Sequence, residues 1–210
     1  MERRFVRRAL CAPLFFLSLP AAEAQVLISE LYYDAPGSDA GQVFVELIGT
    51  PGTDLGGYQL QGINGGNGSS YLSVTLSGSI GADGVFVIAD DSGDGTTLVS
   101  AADLIADIDL QNGPDSLQLL DSGGNLLDAV GYGDFSSAIF AGEGMPAPDV
   151  PAGSSLARLG WADSDDNFSD FTVLASPTPG IAASPVPLPG AFWLFGSGLL
   201  GLAGIRRRTD

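Results

Sequence analysis

Along most of this chain, short runs of hydrophobic residues recur about every eight to fourteen positions, and turn-forming residues separate them. Runs of this length, alternating or continuous and bounded by Gly, Asn, Asp, Ser and Pro, predict β-strands. The predicted strands are Val26–Tyr33, Gln42–Ile48, Tyr58–Gln61, Tyr71–Leu76, Gly84–Ala89, Leu117–Leu120, Leu126–Tyr132, Ser155–Leu159 and Phe171–Leu174. Many short strands at this spacing predict an all-β protein with an antiparallel β-sandwich, and no helical pattern lies between them.

The first 24 residues have the pattern of a secretory signal peptide. Four arginines among the first eight residues precede the apolar stretch Ala9–Pro20, and Ala22, Glu23 and Ala24 form the A-x-A pattern that signal peptidase cleaves. The mature chain would begin at Gln25, and the single cysteine, Cys11, would be lost with the leader. We therefore expect an exported protein without disulfide or thiolate chemistry.

The C-terminus carries a second targeting pattern. A Pro-rich linker, residues 176–189, ends in a sorting box and leads into the uncharged segment Gly190–Ile205. At 1.5 Å per residue a helix of that length covers about 24 Å, so it would barely cross a hydrocarbon core of about 30 Å. The arginines that follow would stay in the cytoplasm with the 206–210 tail, leaving residues 25–175 outside. The sorting box is Val186, Pro187, Leu188 and Pro189, and the arginines are Arg206, Arg207 and Arg208.

The segment Val186–Arg208 closely resembles the PEP-CTERM sorting signal of Gram-negative bacteria, in the variant that opens Val-Pro-Leu-Pro. The resemblance implies that an exosortase-like membrane peptidase processes the chain near the sorting box. It implies a precursor anchored in the inner membrane and a final location at the cell surface or in a secreted biofilm matrix. The catalytic residues would belong to the peptidase, and this chain would supply only the recognition sequence.

The segment Val26–Gly180 resembles the lamin-tail domain, an immunoglobulin-like sandwich. The matching elements are, in order, Ile28–Asp34, Val45–Ile48, Asp54–Leu60, Gly113–Leu117, Leu127–Gly133, Ser155–Arg158, Asp165–Phe171 and Pro177–Gly180. The resemblance implies a binding or architectural module without a shared active site.

Charge and composition narrow the chemistry of the exported part. Residues 25–185 carry 22 acidic side chains and one basic one, Arg158, for a net charge of −21. A surface of that sign repels nucleic acid, so no nucleic acid partner is expected. The chain has no histidine or lysine, which excludes Ser/His/Asp and Cys/His catalysis, a Schiff base and an ordinary zinc site.

A carboxylate pair for glycoside hydrolysis is the enzymatic alternative that remains. Glu30 and Glu46 are expected on neighbouring strands, where they would supply such a pair. The favoured interpretation is that both are ordinary strand residues exposed on the sheet. We therefore expect no enzymatic activity.

Two acidic loops suggest calcium as a cofactor. Asp90, Ser92 and Asp94 offer oxygen ligands at alternate positions before a glycine, as in the first half of an EF-hand loop. The bidentate glutamate of that motif is absent, because its position holds Ala101. A second cluster contains Asp163, Asp165 and Asp166. The alternative, which we treat as the default, is that both are solvated acidic loops.

The sequence predicts a non-enzymatic exported protein that displays its sandwich for adhesion or matrix scaffolding. The alternative is a carbohydrate-binding module for extracellular polysaccharide, with calcium as a conceivable aid and aromatic residues stacking on sugar rings. We expect most of these aromatic residues to pack in the core or at strand ends. The candidates for stacking are Trp161, Tyr32, Tyr33, Tyr58, Tyr71 and Tyr132. A carboxylate-based glycosidase ranks third.

Overall fold

A computed structural model describes residues 25–136 and 138–181, which fold into two packed β-sheets. The strands are β1 (Leu27–Tyr32), β2 (Phe44–Ile48), β3 (Gln59–Asn64), β4 (Ser70–Thr75), β5 (Val85–Asp90), β6 (Leu104–Ala106), β7 (Asp115–Leu120), β8 (Leu126–Tyr132), β9 (Ser155–Arg158) and β10 (Phe171–Leu174). Each of the nine predicted strands corresponds to a strand of the structure, and the predicted all-β sandwich is confirmed.

The larger sheet has six strands in the order β10-β9-β1-β2-β5-β6, and the smaller has four in the order β4-β3-β7-β8. Neighbouring strands pair antiparallel, except that β5 and β6 run parallel. The sequence did not predict β6, because three residues at a sheet edge are too short for a periodic pattern. β1 and β2 change register between Ile28 and Glu30, where β1 has an irregularity.

The core lies between the inner faces of the two sheets. Alternate residues of β2 and β5 point inward and meet residues of the smaller sheet, which is the arrangement of a two-layer sandwich. In β1 the register change shifts the inward positions to Ile28 and Leu31. The inward-facing residues include Ile28, Leu31, Val45, Leu47, Phe86, Ile88, Leu60, Leu117, Leu119 and Val130. Burial of these side chains is the main favourable contribution to folding.

The outer face of the larger sheet is also covered, which explains why β5 is apolar along its length. Val87 and Ala89 of β5 belong to an outer cluster with Tyr32, Phe44 and Val99. Strands that are buried on both faces lose the alternation of apolar and polar residues. Part of the cover is the segment Pro177–Gly180, which we call the C-terminal strap. It is half-buried and hydrogen-bonded to β1 and β2, so the start of the predicted Pro-rich spacer is docked on the sandwich.

One short helix, α1 (Asn167–Asp170), precedes β10, although the sequence predicted no helix in this part of the chain. Within the described ranges, no helix is long and apolar enough to cross a membrane. The predicted signal peptide, residues 1–24, and the predicted membrane helix, 190–205, lie outside the described residues, as do the sorting box and the 206–210 tail.

Candidate functional site

Arg158 is the centre of a charged cluster that joins the two sheets. It lies in β9, is 1% exposed, and is the one basic residue within residues 25–181. Its Nη2 donates to both oxygens of Asp128 in β8, at 2.8 and 2.7 Å. Its Nη1 lies 3.4 Å from Asp170 and 3.5 Å from Asp163. Arg158 therefore faces three carboxylates, and its shortest contacts are the charge-assisted hydrogen bonds from Nη2 to the two oxygens of Asp128.

The backbone completes the coordination of this ion pair. Arg158 Nε donates to the carbonyl oxygen of Ile28 at 2.8 Å, and Nη1 donates to that of Ala162 at 3.1 Å. Asp128 Oδ2 accepts the Ile28 N–H at 2.6 Å, next to the point where β1 and β2 change register. The Arg158 guanidinium also lies 4.7 Å from the centre of the Phe171 ring. The cluster thus holds β1, β8, β9 and β10 together.

Glu143 adds a fourth carboxylate beside this cluster. Its Oε2 atom is buried and has no hydrogen-bond partner among the described residues. Burial and the charges of Asp128 and Asp163 raise the pKa of Glu143 to about 7, while Arg158 acts in the opposite direction. A carboxyl group in this position either holds a proton near neutral pH or faces a cation.

Three carboxylates of this cluster converge closely enough to share a metal ion. In the described part of the chain, oxygens of Asp128, Glu143 and Asp163 all lie within 4.8 Å of one another. Carboxylate oxygens suit a hard cation such as calcium, and the unpartnered Oε2 of Glu143 is free to act as a ligand. Asp128 and Asp163 are less available than Glu143, because both oxygens of each already accept hydrogen bonds.

In the first predicted calcium loop, the aspartate side chains accept hydrogen bonds from the protein itself. Asp90 is 5% exposed and accepts backbone N–H groups of Gly41 and Ile108, at 2.8 and 3.2 Å. Asp94 accepts both the N–H and the hydroxyl of Thr96. The Ser92 N–H closes the loop onto the Thr96 carbonyl. These carboxylates shape the loop through hydrogen bonds, and calcium binding here stays a prediction.

Asp91, which the sequence did not single out, organises the same loop. Its Oδ1 accepts the N–H groups of Gly93, Asp94 and Gly95, and these hydrogen bonds lower the pKa of Asp91.

The second predicted cluster is divided between two roles. Asp163 joins Arg158, Asp128 and Glu143, as described above. Asp166 instead accepts the Met145 N–H at 2.9 Å and the Ser169 hydroxyl at 2.8 Å, and its pKa is lowered chiefly by the Met145 hydrogen bond. Asp165 is exposed and has a φ of 55°. Asp128 and Glu143 were missed as partners of Asp163 because they are distant in sequence and belong to no local motif.

Glu30 and Glu46 are directly paired on β1 and β2, as expected, but they are buried and not exposed on the sheet. Their exposed fractions are 2% and 1%, because the C-terminal strap covers them. Burial raises the pKa of Glu46, while hydrogen bonds from Ser29 and Gly180 lower it. Every oxygen of the two carboxylates accepts at least one hydrogen bond, so they form a bonded structural pair.

The aromatic residues do not form one platform. Tyr33 and Tyr132 are buried in contact, with ring centres 4.4 Å apart and planes tilted by 33°, and the Tyr132 hydroxyl lies 3.1 Å from the Tyr71 hydroxyl. Tyr32 helps to line a groove of about 300 Å³ together with Phe44, Leu98, Val99, Pro177 and Pro179. Tyr71 lines a smaller polar cavity of about 290 Å³ with Leu72, Asp107, Asp109 and Gln111.

Two family models match this chain. One is described as the Lamin Tail Domain and matches residues 20–134, and the other is described as the PEP-CTERM protein-sorting motif and matches residues 185–208. No curated protein matches the chain. The matches confirm both resemblances seen in the sequence, although the domain match ends at residue 134, before β9 and β10 complete the larger sheet.

Proposed function

The chain belongs to the lamin tail domain family and ends in a PEP-CTERM sorting motif, and from this premise we propose that it displays its sandwich for adhesion or matrix scaffolding. The sorting motif marks it as an exported protein that a membrane peptidase, an exosortase, processes. The family and the motif together point to a non-enzymatic role. Its final location would be the cell surface or the secreted matrix.

The observation that carries this proposal is the order of the two modules. The sandwich closes with β10 and the C-terminal strap, and the sorting motif begins at residue 185, directly after the folded part. Glycosidase activity has the least support, because Glu30 and Glu46 are buried and fully hydrogen-bonded. A glycosidase needs its two carboxylates in a cleft that admits a sugar.

The intact mass of the protein from its native host tests the processing step. We expect a released or surface form that begins at Gln25 and ends near residues 186–190, with the full-length C-terminus confined to membranes. A chain that still ends at Asp210 in every fraction would contradict exosortase processing. A chain that still begins at Met1 would contradict the signal peptide.

A carbohydrate-binding module is the second candidate, and the cavity beside Tyr71 supports it. That cavity combines an aromatic ring, two carboxylates and an amide, which are the groups that stack on sugars and accept or donate hydrogen bonds to hydroxyls. Its volume of about 290 Å³ lies at the lower end of the range for small-ligand sites. The ligand would be one residue of an extracellular polysaccharide.

Calcium is the cofactor that we propose for the acidic loops. The trio of Asp128, Glu143 and Asp163 is the best-placed set of ligands, since their oxygens converge and one is unpartnered. A bound cation would offset the excess of carboxylates around Arg158 and stiffen the loops that carry Glu143 and Asp163.

A further inference from the structure

The two buried glutamates of the larger sheet hold the last described segment of the chain. Glu30 accepts three hydrogen bonds, of which two come from Thr178, from its N–H at 2.9 Å and its hydroxyl at 2.7 Å. Glu46 accepts two, of which one comes from the Gly180 N–H at 2.8 Å. The C-terminal strap therefore supplies three of the five donors to this carboxylate pair.

The strap also fits closely against the sandwich at its far end. Gly180 has a φ of 80°, a conformation that glycine adopts readily. A Cβ atom at this position would come within 2.8 Å of the Ala101 Cβ, so only glycine allows the strap to lie this close to the 99–102 loop. The groove lined by Pro177 and Pro179 runs beside it.

Detaching the strap would leave both glutamates poorly paired. Glu30 would keep only the Ser155 hydroxyl, and Glu46 only the Ser29 hydroxyl, while the two carboxylates remain neighbours of like charge. Detachment would also expose both carboxylates to water, which would replace the lost donors. The docked strap is therefore favoured by the net strength of its three hydrogen bonds to charged acceptors, which is larger than that of hydrogen bonds between neutral groups.

We propose that Glu30 and Glu46 are positioning residues for the sorting signal: by clamping the strap, they set Gly180 as the limit beyond which a peptidase gains access to the chain. The inference rests on the proposed processing. The clamped chain has nine residues from Gly180 to Pro189 and reaches at most about 30 Å. A chain released back to Leu174 has fifteen, with a reach of about 50 Å. The clamp thus limits the distance between the folded domain and the sorting box to about 30 Å. It also protects the strap from cleavage, so that the strap remains part of the processed protein.

The first test is protease access in the full-length protein, purified in detergent. Brief treatment of the wild-type chain with proteinase K should give a core fragment that ends at or beyond Gly180. Glu30→Gln, Glu46→Gln and Thr178→Val each remove or weaken one strap contact, and we expect cleavage between residues 175 and 180 to become about tenfold faster. Amide hydrogen exchange at Thr178 and Gly180 should rise by a similar factor.

Ser155→Ala and Ser29→Ala are matched controls. Each removes one hydrogen bond from Glu30 or Glu46 but leaves all three strap contacts intact. They should match the glutamate variants in thermal stability while keeping wild-type protease access. If the controls open the strap as readily as the glutamate variants, protease access depends on the overall stability of the domain and not on the strap contacts, and the inference is wrong.

The second test is the C-terminus of the processed product in the native host. Wild-type product should end after Gly180, whereas Glu30→Gln and Thr178→Val should add products that end between residues 175 and 180. Identical products in all variants, despite faster proteinase K cleavage, would overturn the inference and leave the proposed processing intact. A wild-type chain that is never processed would overturn both.

Discussion

At the scale of single residues, Glu143 is the side chain whose surroundings fit its charge least well. Its buried Oε2 has no hydrogen-bond partner in the described part of the chain, and the charged groups that act on it are three carboxylates, of Asp128, Asp163 and Asp165, and the Arg158 guanidinium. The folded-state pKa of about 7 lies above the ordinary value, so the folded protein holds a proton that the unfolded chain has already released. The stability that this proton contributes is present at low pH and is lost as the pH rises towards and through 7.

Glu143→Gln should remove this pH dependence, because glutamine imitates the protonated carboxyl group. We expect wild type and variant to have equal melting temperatures near pH 4. The variant should become progressively more stable than wild type up to about pH 7, and the difference should then level off. Asp94→Asn, an exposed change in a loop whose charge does not act on Glu143, should show no such trend.

The same variant tests the proposed cation. At pH 8, millimolar calcium should raise the melting temperature of the wild type and not that of Glu143→Gln, with magnesium and extra sodium chloride as controls for ionic strength. Equal stabilisation of both proteins by calcium would place any calcium site elsewhere.

For the pH prediction, a melting temperature difference between wild type and Glu143→Gln that does not vary with pH would contradict the raised pKa of Glu143.

At the scale of secondary-structure elements, Arg158 adds a polar connection between the two sheets to the apolar core that joins them. It joins β9 to β8 through Asp128, to β1 through the Ile28 carbonyl and to β10 through the Phe171 ring. Arg158→Met would leave Asp128 and Asp170 buried without a counter-charge. We expect it to lower the free energy of unfolding by about 3 to 5 kcal/mol, measured by urea denaturation.

Arg158→Lys is the matched variant, because it keeps the charge and loses the fork of donors. The three guanidinium nitrogens donate separately to Asp128, the Ile28 carbonyl and the Ala162 carbonyl, and a single ammonium nitrogen cannot reach all three, so lysine should recover only part of the loss. Full recovery by lysine would show that charge alone matters. A loss below about 1 kcal/mol for Arg158→Met would show that the cluster is not a structural connection.

The elements that the sequence predicted are those with a local pattern. Leu117–Leu120 and Leu126–Tyr132 were found from their apolar residues and the turn between them. β6 was missed because its pairing with β5 joins distant parts of the chain. The burial of Glu30 and Glu46 was missed for a related reason: a polar residue between apolar ones normally faces water. Here the strap, 134 to 148 residues further along, covers that face.

At the scale of the whole molecule, the negative net charge limits which polymers the domain can bind. Its single basic residue is buried, so the surface of residues 25–181 is uniformly acidic. Such a surface repels polyuronates and other anionic polymers unless divalent cations bridge the two. Neutral polysaccharide has no such barrier, and the cavity lined by Tyr71, Asp107 and Asp109 offers it a polar site.

Affinity electrophoresis separates the effect of this cavity from that of overall charge. The wild-type domain should be retarded in gels that contain a neutral glucan and not in gels that contain a polyuronate without calcium. Asp107→Asn with Asp109→Asn should abolish the retardation, whereas Asp94→Asn with Asp165→Asn, which changes the net charge equally outside the cavity, should keep it. Because the two double variants have the same charge, a difference in their retardation can come only from the cavity. Equal retardation of both would contradict a sugar site beside Tyr71, and the scaffolding role would then rest on protein contacts alone.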